Sequence, residues 1–179
     1  MKRLTYILII IIIFGCQSES ENNDHWGGVS PDFISAVDIS NYPKILSYSP
    51  TFYDENNNEI NFINALIQNG VNTIRLRLWV NPADESSSLE EVKEFSNELR
   101  SMGFKIWITP HFSDTWAHPG QQQIPSNWES LSFEELKNQL YAHTNQIMSE
   151  INPDYIQIGN EINTGILFPH GNIMDNQDQ

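Results

Sequence analysis

The sequence predicts an α/β fold in which parallel strands alternate with helices. Four short apolar segments rich in β-branched residues alternate with three segments of helical apolar spacing. Two of the helical segments open with capping-box patterns, and the other is followed by glycine. This order predicts right-handed crossovers between parallel strands. An open doubly wound sheet and half of a barrel both fit it. A glycine-rich phosphate loop is missing after the first strand, which disfavours a nucleotide-binding sheet.

The first predicted strand covers residues 33–40 and ends near Asp38. Residues 42–58 are rich in Pro, Ser, Asn and Tyr, so they predict a loop or a small excursion from the main fold. Apolar residues then recur at helical spacing over residues 61–68. Gly70 follows this helix as a natural C′ residue.

The second strand is predicted over residues 71–80 and is followed by a loop. Ser88 and Glu91 have the spacing of a capping box, so a helix should begin there and extend to about Ser101. The third strand is predicted over residues 104–109.

A long polar loop is predicted over residues 110–131. Ser132 and Glu135 repeat the capping-box spacing and predict a helix that extends to about Ile151. The fourth strand starts at Tyr155, and Gly-Asn-Glu at positions 159–161 closes it.

The N-terminus predicts an export signal. Residues 1–15 combine a positive start with an apolar run too short for a membrane span. Together with Cys16 they resemble a bacterial lipoprotein signal peptide, which predicts lipidation at Cys16 and a place in the cell envelope, at the outer membrane or cell surface. An ordinary signal peptide with an incidental cysteine is the alternative. Residues 16–30 predict an acidic flexible tether, and residues 31–179 the folded domain.

The charge and cysteine content exclude several function classes. The formal net charge is −14, which argues against nucleic acid or an anionic membrane surface as a partner, because both require a basic face. A neutral polymer is a better candidate. The single cysteine rules out an intrachain disulfide.

Polar side chains follow the predicted strands at their carboxyl ends. If the strands are parallel, these side chains meet at one edge, where (β/α)₈ enzymes place their catalytic groups. An Asn-Glu pair at such an edge suits glycoside hydrolysis, with the glutamate as proton donor. The candidate site residues are Asp38, Ser40, Arg75, Arg77, Trp79, His111, Asp114, Trp116, Asn160 and Glu161.

Several of these residues allow two interpretations. Arg75 and Arg77 should point to the same face of a strand, where one could orient a catalytic carboxylate, or one or both could pair with surface acids. His111 could bind substrate or serve the core, and its spacing to Asp114 and His118 matches no metal signature, so we predict no metal site. Tryptophan rings near this edge could pack in the core or stack against a sugar. These rings belong to Trp79, Trp116 and Trp128.

Four spaced segments resemble motifs of the endo-β-1,4-galactanases, glycoside hydrolase family 53. They are residues 36–40, 71–82, 111–120 and 157–163. The resemblance implies a (β/α)₈ TIM barrel, of which this chain would contain about four β/α units, since a full barrel needs roughly 250 residues. It implies internal, retaining cleavage of galactan or arabinogalactan side chains of pectin.

The resemblance also implies residue roles. Glu161 would be the general acid/base and Asn160 would bind the sugar 2-OH, while His111 and an arginine of the second strand would line the cleavage subsite. We assign Arg75, Arg77, Asp114 and Trp116 to substrate binding as well. No cofactor is implied here, although full-length family members could carry calcium.

Two departures from the family pattern qualify the assignment. Thr109 occupies a position where the family usually has aspartate. The family's nucleophile lies on a seventh strand, which a chain of about four β/α units would not contain. The alternative to a galactanase is therefore an inert remnant or a surface glycan-binding lipoprotein.

Overall fold

A computed structural model describes residues 33–175. The predictions for residues 1–15, for lipidation at Cys16 and for the tether over residues 16–30 lie outside the described residues. No helix between residues 33 and 175 combines the length and apolar content that crossing a bilayer would require.

The secondary structure follows the predicted alternation. The strands are β1 (Ala36–Asp38), β2 (Phe52–Tyr53), β3 (Glu59–Ile60), β4 (Thr73–Leu78), β5 (Lys105–Pro110), β6 (Tyr155–Ile156), β7 (Gly165–Ile166) and β8 (Gly171–Asn172). The α-helices are α1 (Tyr42–Leu46), α2 (Phe62–Gln68), α3 (Leu89–Ser101) and α4 (Phe133–Ile151), and a 3₁₀ turn covers Ser126–Trp128.

The main sheet has the order β1-β4-β5-β6, and every neighbouring pair is parallel. Its register aligns Asp38 with Arg75, Arg75 with Trp107, and Trp107 with Tyr155. The predicted α/β fold of alternating parallel strands is thus confirmed. All four strands run in the same direction, so their carboxyl ends form one rim.

The excursion after β1 has structure of its own. Residues 42–58 were predicted as a loop or small excursion, and this region contains α1 and the antiparallel β2–β3 hairpin. The Phe62 ring stacks on Tyr42 and Phe52 with centroids 5.3 and 5.1 Å apart, and the Tyr42 and Phe52 rings are tilted to each other at 6.1 Å. This small aromatic cluster fixes the hairpin against α2, which a composition rich in turn residues did not indicate.

Both predicted capping boxes begin helices, but only one is complete. Ser132 and Glu135 exchange side-chain bonds to each other's backbone amides at the start of α4. At α3, Ser88 accepts from the Glu91 amide, whereas the Glu91 carboxylate accepts from the amide of Ser87 instead of Ser88. The Glu91 carboxylate therefore ties the preceding loop to the helix.

The two faces of the sheet have different roles. Alternate residues of the central strands face the helices and form the main core with side chains of α3 and α4. Those core residues are Ile74, Leu76, Leu78, Ile106, Ile108, Val92, Leu99, Ile147 and Ile151. The residues between them, including Arg75 and Arg77, lie on the opposite face. This alternation places polar groups along the inner surface that leads to the rim.

The fourth strand is shorter than predicted. The ladder ends at Ile156, although the Gln157 amide still donates to the Ile108 carbonyl. Beyond it the chain turns at Gly159, whose φ is +81°. A Cβ there would lie 2.5 Å from Cγ2 of Ile162, so this turn requires glycine. The turn releases Asn160 and Glu161 from the strand.

Candidate active site

An ion pair links the first two strands of the sheet. Nη1 of Arg75 lies 2.5 Å from Oδ2 of Asp38, and Ser40 donates its backbone N–H and its hydroxyl to Oδ1 of the same carboxylate. Burial by itself would raise the pKa of Asp38, but the hydrogen bonds from Ser40 and the nearby Arg75 outweigh it and lower this pKa below its ordinary value. Asp38 is therefore held ionised.

The same arginine fixes the amide of Asn160. Nη2 of Arg75 donates to Oδ1 of Asn160 at 3.0 Å, and Nδ2 of Asn160 donates to the Ala117 carbonyl at 2.9 Å. Asn160 is buried, so its amide is oriented from both sides. That an arginine orients a catalytic carboxylate stays a prediction. Arg75 pairs with Asp38 and reaches the Asn-Glu segment through Asn160.

Glu161 follows the fixed Asn160 and is exposed to solvent. Its φ is +51°, in the left-handed region that non-glycine residues seldom adopt. The residue is exposed, and its carboxylate makes no hydrogen bond or ion pair with any residue between 33 and 175. Backbone outliers of this kind concentrate at functional sites. The carboxylate is thus accessible to solvent at the rim.

Gln122 is a site residue that sequence reasoning missed. It lies in the loop between β5 and α4, and only 2% of it is exposed. Its Nε2 donates to the main-chain carbonyls of Asn160 at 2.8 Å and Glu161 at 3.2 Å. The main-chain carbonyl of Gln122 accepts from the Phe168 amide at 2.6 Å. A glutamine within a polar loop carries no sequence signal for such a role.

Arg77 is buried without an acidic partner in the described part of the chain. Its guanidinium donates to Oγ of Ser87 at 3.2 Å and to Oδ1 of Asn41 at 2.8 Å. It also lies 4.4 Å from the ring centroid of Trp79 and 4.2 Å from that of Trp116. Hydrogen bonds and cation–π contacts therefore take the place of the surface ion pair that one interpretation expected.

Two of the three tryptophans near the rim lie in opposite environments. Trp128 is buried in a second apolar cluster with Phe112, Leu136 and Leu167, so it serves the core. Trp116 is 52% exposed and rests on the Arg77 guanidinium. An exposed ring backed by a cation offers a flat platform to a sugar face.

His111 connects the loop after β5 to the end of β4 by hydrogen bonds. Its Nδ1 accepts from the Ala117 amide at 3.1 Å and from Nε1 of Trp79 at 3.4 Å, so the proton of the neutral ring is on Nε2. Burial, aided by the charges of Arg77 and Arg75, lowers the pKa of His111 to about 4. His111 is therefore neutral at physiological pH. Its buried Nε2 has no hydrogen bond of normal geometry among residues 33–175.

This buried histidine predicts a pH-dependent stability. The unfolded chain binds a proton near the ordinary histidine pKa of about 6.5, whereas folded His111 does so only at about 4. The free energy of unfolding should therefore rise as the pH increases from about 4 to about 6.5. Urea unfolding of His111→Asn, which keeps an acceptor near the Nδ1 position, should show a smaller slope over this window. Ile108→Val, a control in the preceding strand β5, should lose stability equally at each pH.

Asp114 accepts hydrogen bonds from two loops. Oδ1 of Asp114 accepts from the Asn81 amide, and Oδ2 accepts from the amide and hydroxyl of Ser126. This carboxylate thus braces two loops in the described structure, while its predicted substrate contact stays a prediction. Within residues 33–175, no three His, Cys, Asp or Glu side chains group as metal ligands.

One chain of contacts now joins the predicted residues at one rim. Asp38 binds Arg75, Arg75 binds Asn160, and Asn160 shares the Ala117 backbone with His111. The model of glycosyl hydrolase family 53 matches residues 34–179. The chain belongs to this family. The resemblance read from the sequence motifs is thereby confirmed.

The chain is similar to part of each of three longer proteins. It is 39% identical over 111 residues to arabinogalactan endo-beta-1,4-galactanase A of Emericella nidulans, covering 59% of this chain and 32% of that protein. It is 30% identical over 151 residues to endo-beta-1,4-galactanase of Bacillus subtilis, covering 77% of this chain and 35% of that protein. The Ignisphaera aggregans GH53 catalytic domain superposes with a TM-score of 0.74 at 39% identity, and the match covers 83% of this chain and 45% of that domain.

The chain covers only part of the length of these relatives. It spans about a third to under half of the length of these relatives. The fold is that of the TIM-barrel family, with four parallel strands and their helices, so the predicted content of about four β/α units is confirmed.

Proposed function

We propose that this chain forms the N-terminal half of an endo-acting, retaining glycoside hydrolase that cleaves β-1,4-galactan or arabinogalactan. Glu161 protonates the departing glycosidic oxygen and then, as a base, activates water. Retention requires a second carboxylate roughly 5–5.5 Å away as nucleophile, and we assign it to a later strand of the barrel, outside this chain.

One observation carries this proposal. The exposed carboxylate of Glu161 follows an asparagine whose amide is fixed by Arg75 and the Ala117 carbonyl. An acid that must approach a glycosidic oxygen needs an unpaired carboxylate and a backbone held firmly in place. Asn160 then faces the 2-OH, where hydrogen bonds strengthen in the transition state. Family membership and the printed names of the relatives supply the substrate class.

The remaining site residues shape the subsite. Trp116 offers its exposed face to a galactose ring, and Arg77 supports the ring from behind. His111 stays neutral and orders the loop that bears Trp116 through the Ala117 amide. Arg75 acts through Asn160, and Asp114 keeps the surrounding loops in place. No cofactor is needed for this chemistry.

The proposal is tested with a complete barrel. The chain is expressed with its continuation, or fused after residue 179 to the corresponding part of a solved relative. On β-1,4-galactan, viscosity should fall faster than reducing ends appear, and ¹H NMR should show β-anomeric products first. Carboxymethylcellulose is the control polymer. Release of single galactose units, or binding without turnover, would contradict the proposal, and the second result would favour a glycan-binding lipoprotein.

We further propose export and lipid attachment at Cys16, which would place the enzyme at the bacterial cell envelope. The polymer substrate and the lipid anchor are then its partners, and nucleic acid is not. Radiolabelled palmitate should appear in the wild-type protein and be lost in Cys16→Ser.

A further inference from the structure

Gln122 makes a contact that nothing in the proposed mechanism assigns. Its buried amide nitrogen lies between two consecutive carbonyls, those of Asn160 and Glu161. The main-chain carbonyl of Gln122 accepts from the amide of Phe168, in the turn of the β7–β8 hairpin. One side chain therefore joins the loop after β5 to the backbone of the proposed acid/base.

This backbone needs an external restraint. Glu161 has a left-handed φ of +51° and follows the Gly159 turn, outside any strand or helix. A non-glycine residue leaves this region unless surrounding contacts hold it there. The Glu161 side chain cannot supply the restraint by polar bonding, because it makes no hydrogen bond or ion pair among residues 33–175. Of the described hydrogen bonds, that from Gln122 is the one on the Glu161 carbonyl.

We propose that Gln122 is a positioning residue for the acid/base: by binding the carbonyls of Asn160 and Glu161, it fixes the direction in which the Glu161 carboxylate leaves the rim. This rests on the proposed function, in which Glu161 is the proton donor. Gln122 touches no substrate and acts only through the main chain. Losing its amide lets the carboxylate drift from the glycosidic oxygen, and proton transfer is sensitive to such a displacement.

The test uses leaving groups in the complete enzyme. Galactan needs a proton on its departing oxygen, whereas a 2,4-dinitrophenyl β-galactobioside leaves without one. Gln122→Met keeps the length of the side chain and removes the donor. We expect kcat/KM on galactan to fall by about 30–100-fold, and on the aryl substrate by less than about 3-fold. A loss that is equal on both substrates, or no loss on galactan, would overturn the proposal.

Two controls separate this inference from the function on which it rests. Gln123→Met makes the same change at the exposed neighbouring glutamine and should leave both rates unchanged. Glu161→Gln should show the same preference for the aryl substrate, only larger. If Glu161→Gln lacks that preference, the proposed function fails. If Glu161→Gln shows it and Gln122→Met does not, only the role of Gln122 fails.

A second variant covers the case in which Gln122→Met does not fold. Gln122→Glu keeps the shape, but its carboxylate faces two carbonyl oxygens and cannot donate. Once protonated, it regains a donor. The ratio of variant to wild-type kcat/KM on galactan should therefore rise as the pH is lowered toward the range where a buried carboxyl takes up a proton. A ratio that is flat or falls would refute hydrogen-bond donation by Gln122.

Discussion

Replacing Glu161 with glutamine is expected to lower kcat/KM on β-1,4-galactan by about 10²–10⁴-fold, the usual contribution of a general acid. The amide has nearly the same shape as the carboxylate but cannot give a proton to the leaving oxygen. The side chain is exposed and makes no hydrogen bond or ion pair with residues 33–175, so the fold should not change. Steady-state kinetics in the complete enzyme will measure the loss of kcat/KM, and thermal unfolding will show whether the fold is unchanged.

A matched control and a rescue sharpen this test. Glu94→Gln makes the same chemical change on the exposed face of α3 and should keep full activity. In Glu161→Ala, added azide should accelerate turnover of an activated aryl galactoside, because azide attacks the intermediate without a base. Wild-type rates on galactan in Glu161→Gln would remove Glu161 from the mechanism.

The second large effect is expected at Arg75. Arg75→Met removes the cation beside Asp38 and the donor to Oδ1 of Asn160 in one step. Asn160 then loses one of the two bonds that orient its amide, and kcat/KM should fall by about 10²-fold. Arg75→Lys keeps the charge, but an ammonium cannot reach both partners as the guanidinium fork does, so activity should stay low. Full activity in Arg75→Met would contradict this role.

The stability of the Arg75 variant should depend on pH. The folded pKa of Asp38 is below its unfolded value, because the bonds from Ser40 and Arg75 outweigh burial. The stability that Asp38 contributes is therefore present above an unfolded pKa of about 3.9 and is lost as the pH falls through the folded value. The gap between wild type and Arg75→Met should be widest at neutral pH and close in acid. Arg100→Met, at a distant helix end, provides the control.

The local elements could be predicted from neighbouring residues. Ser88 and Ser132 marked the starts of α3 and α4, and the glycine after α2 marked its end. Alternation along β4 placed Arg75 and Arg77 on one face. The β7–β8 hairpin and the β2–β3 hairpin gave no such signal, since their strands have two residues each and short strands show no period.

The sequence by itself determined the order of elements, the shared rim at the strand ends and the family, because periodicity, caps and motifs depend on residues that lie close together in the chain. Only the tertiary structure decided the partners. Arg75 meets Asp38 and Asn160 across 37 and 85 residues, and Gln122 meets Asn160 across 38. Such pairs form because packing the strands side by side brings distant segments within hydrogen-bond distance, and buried polar groups must then satisfy one another.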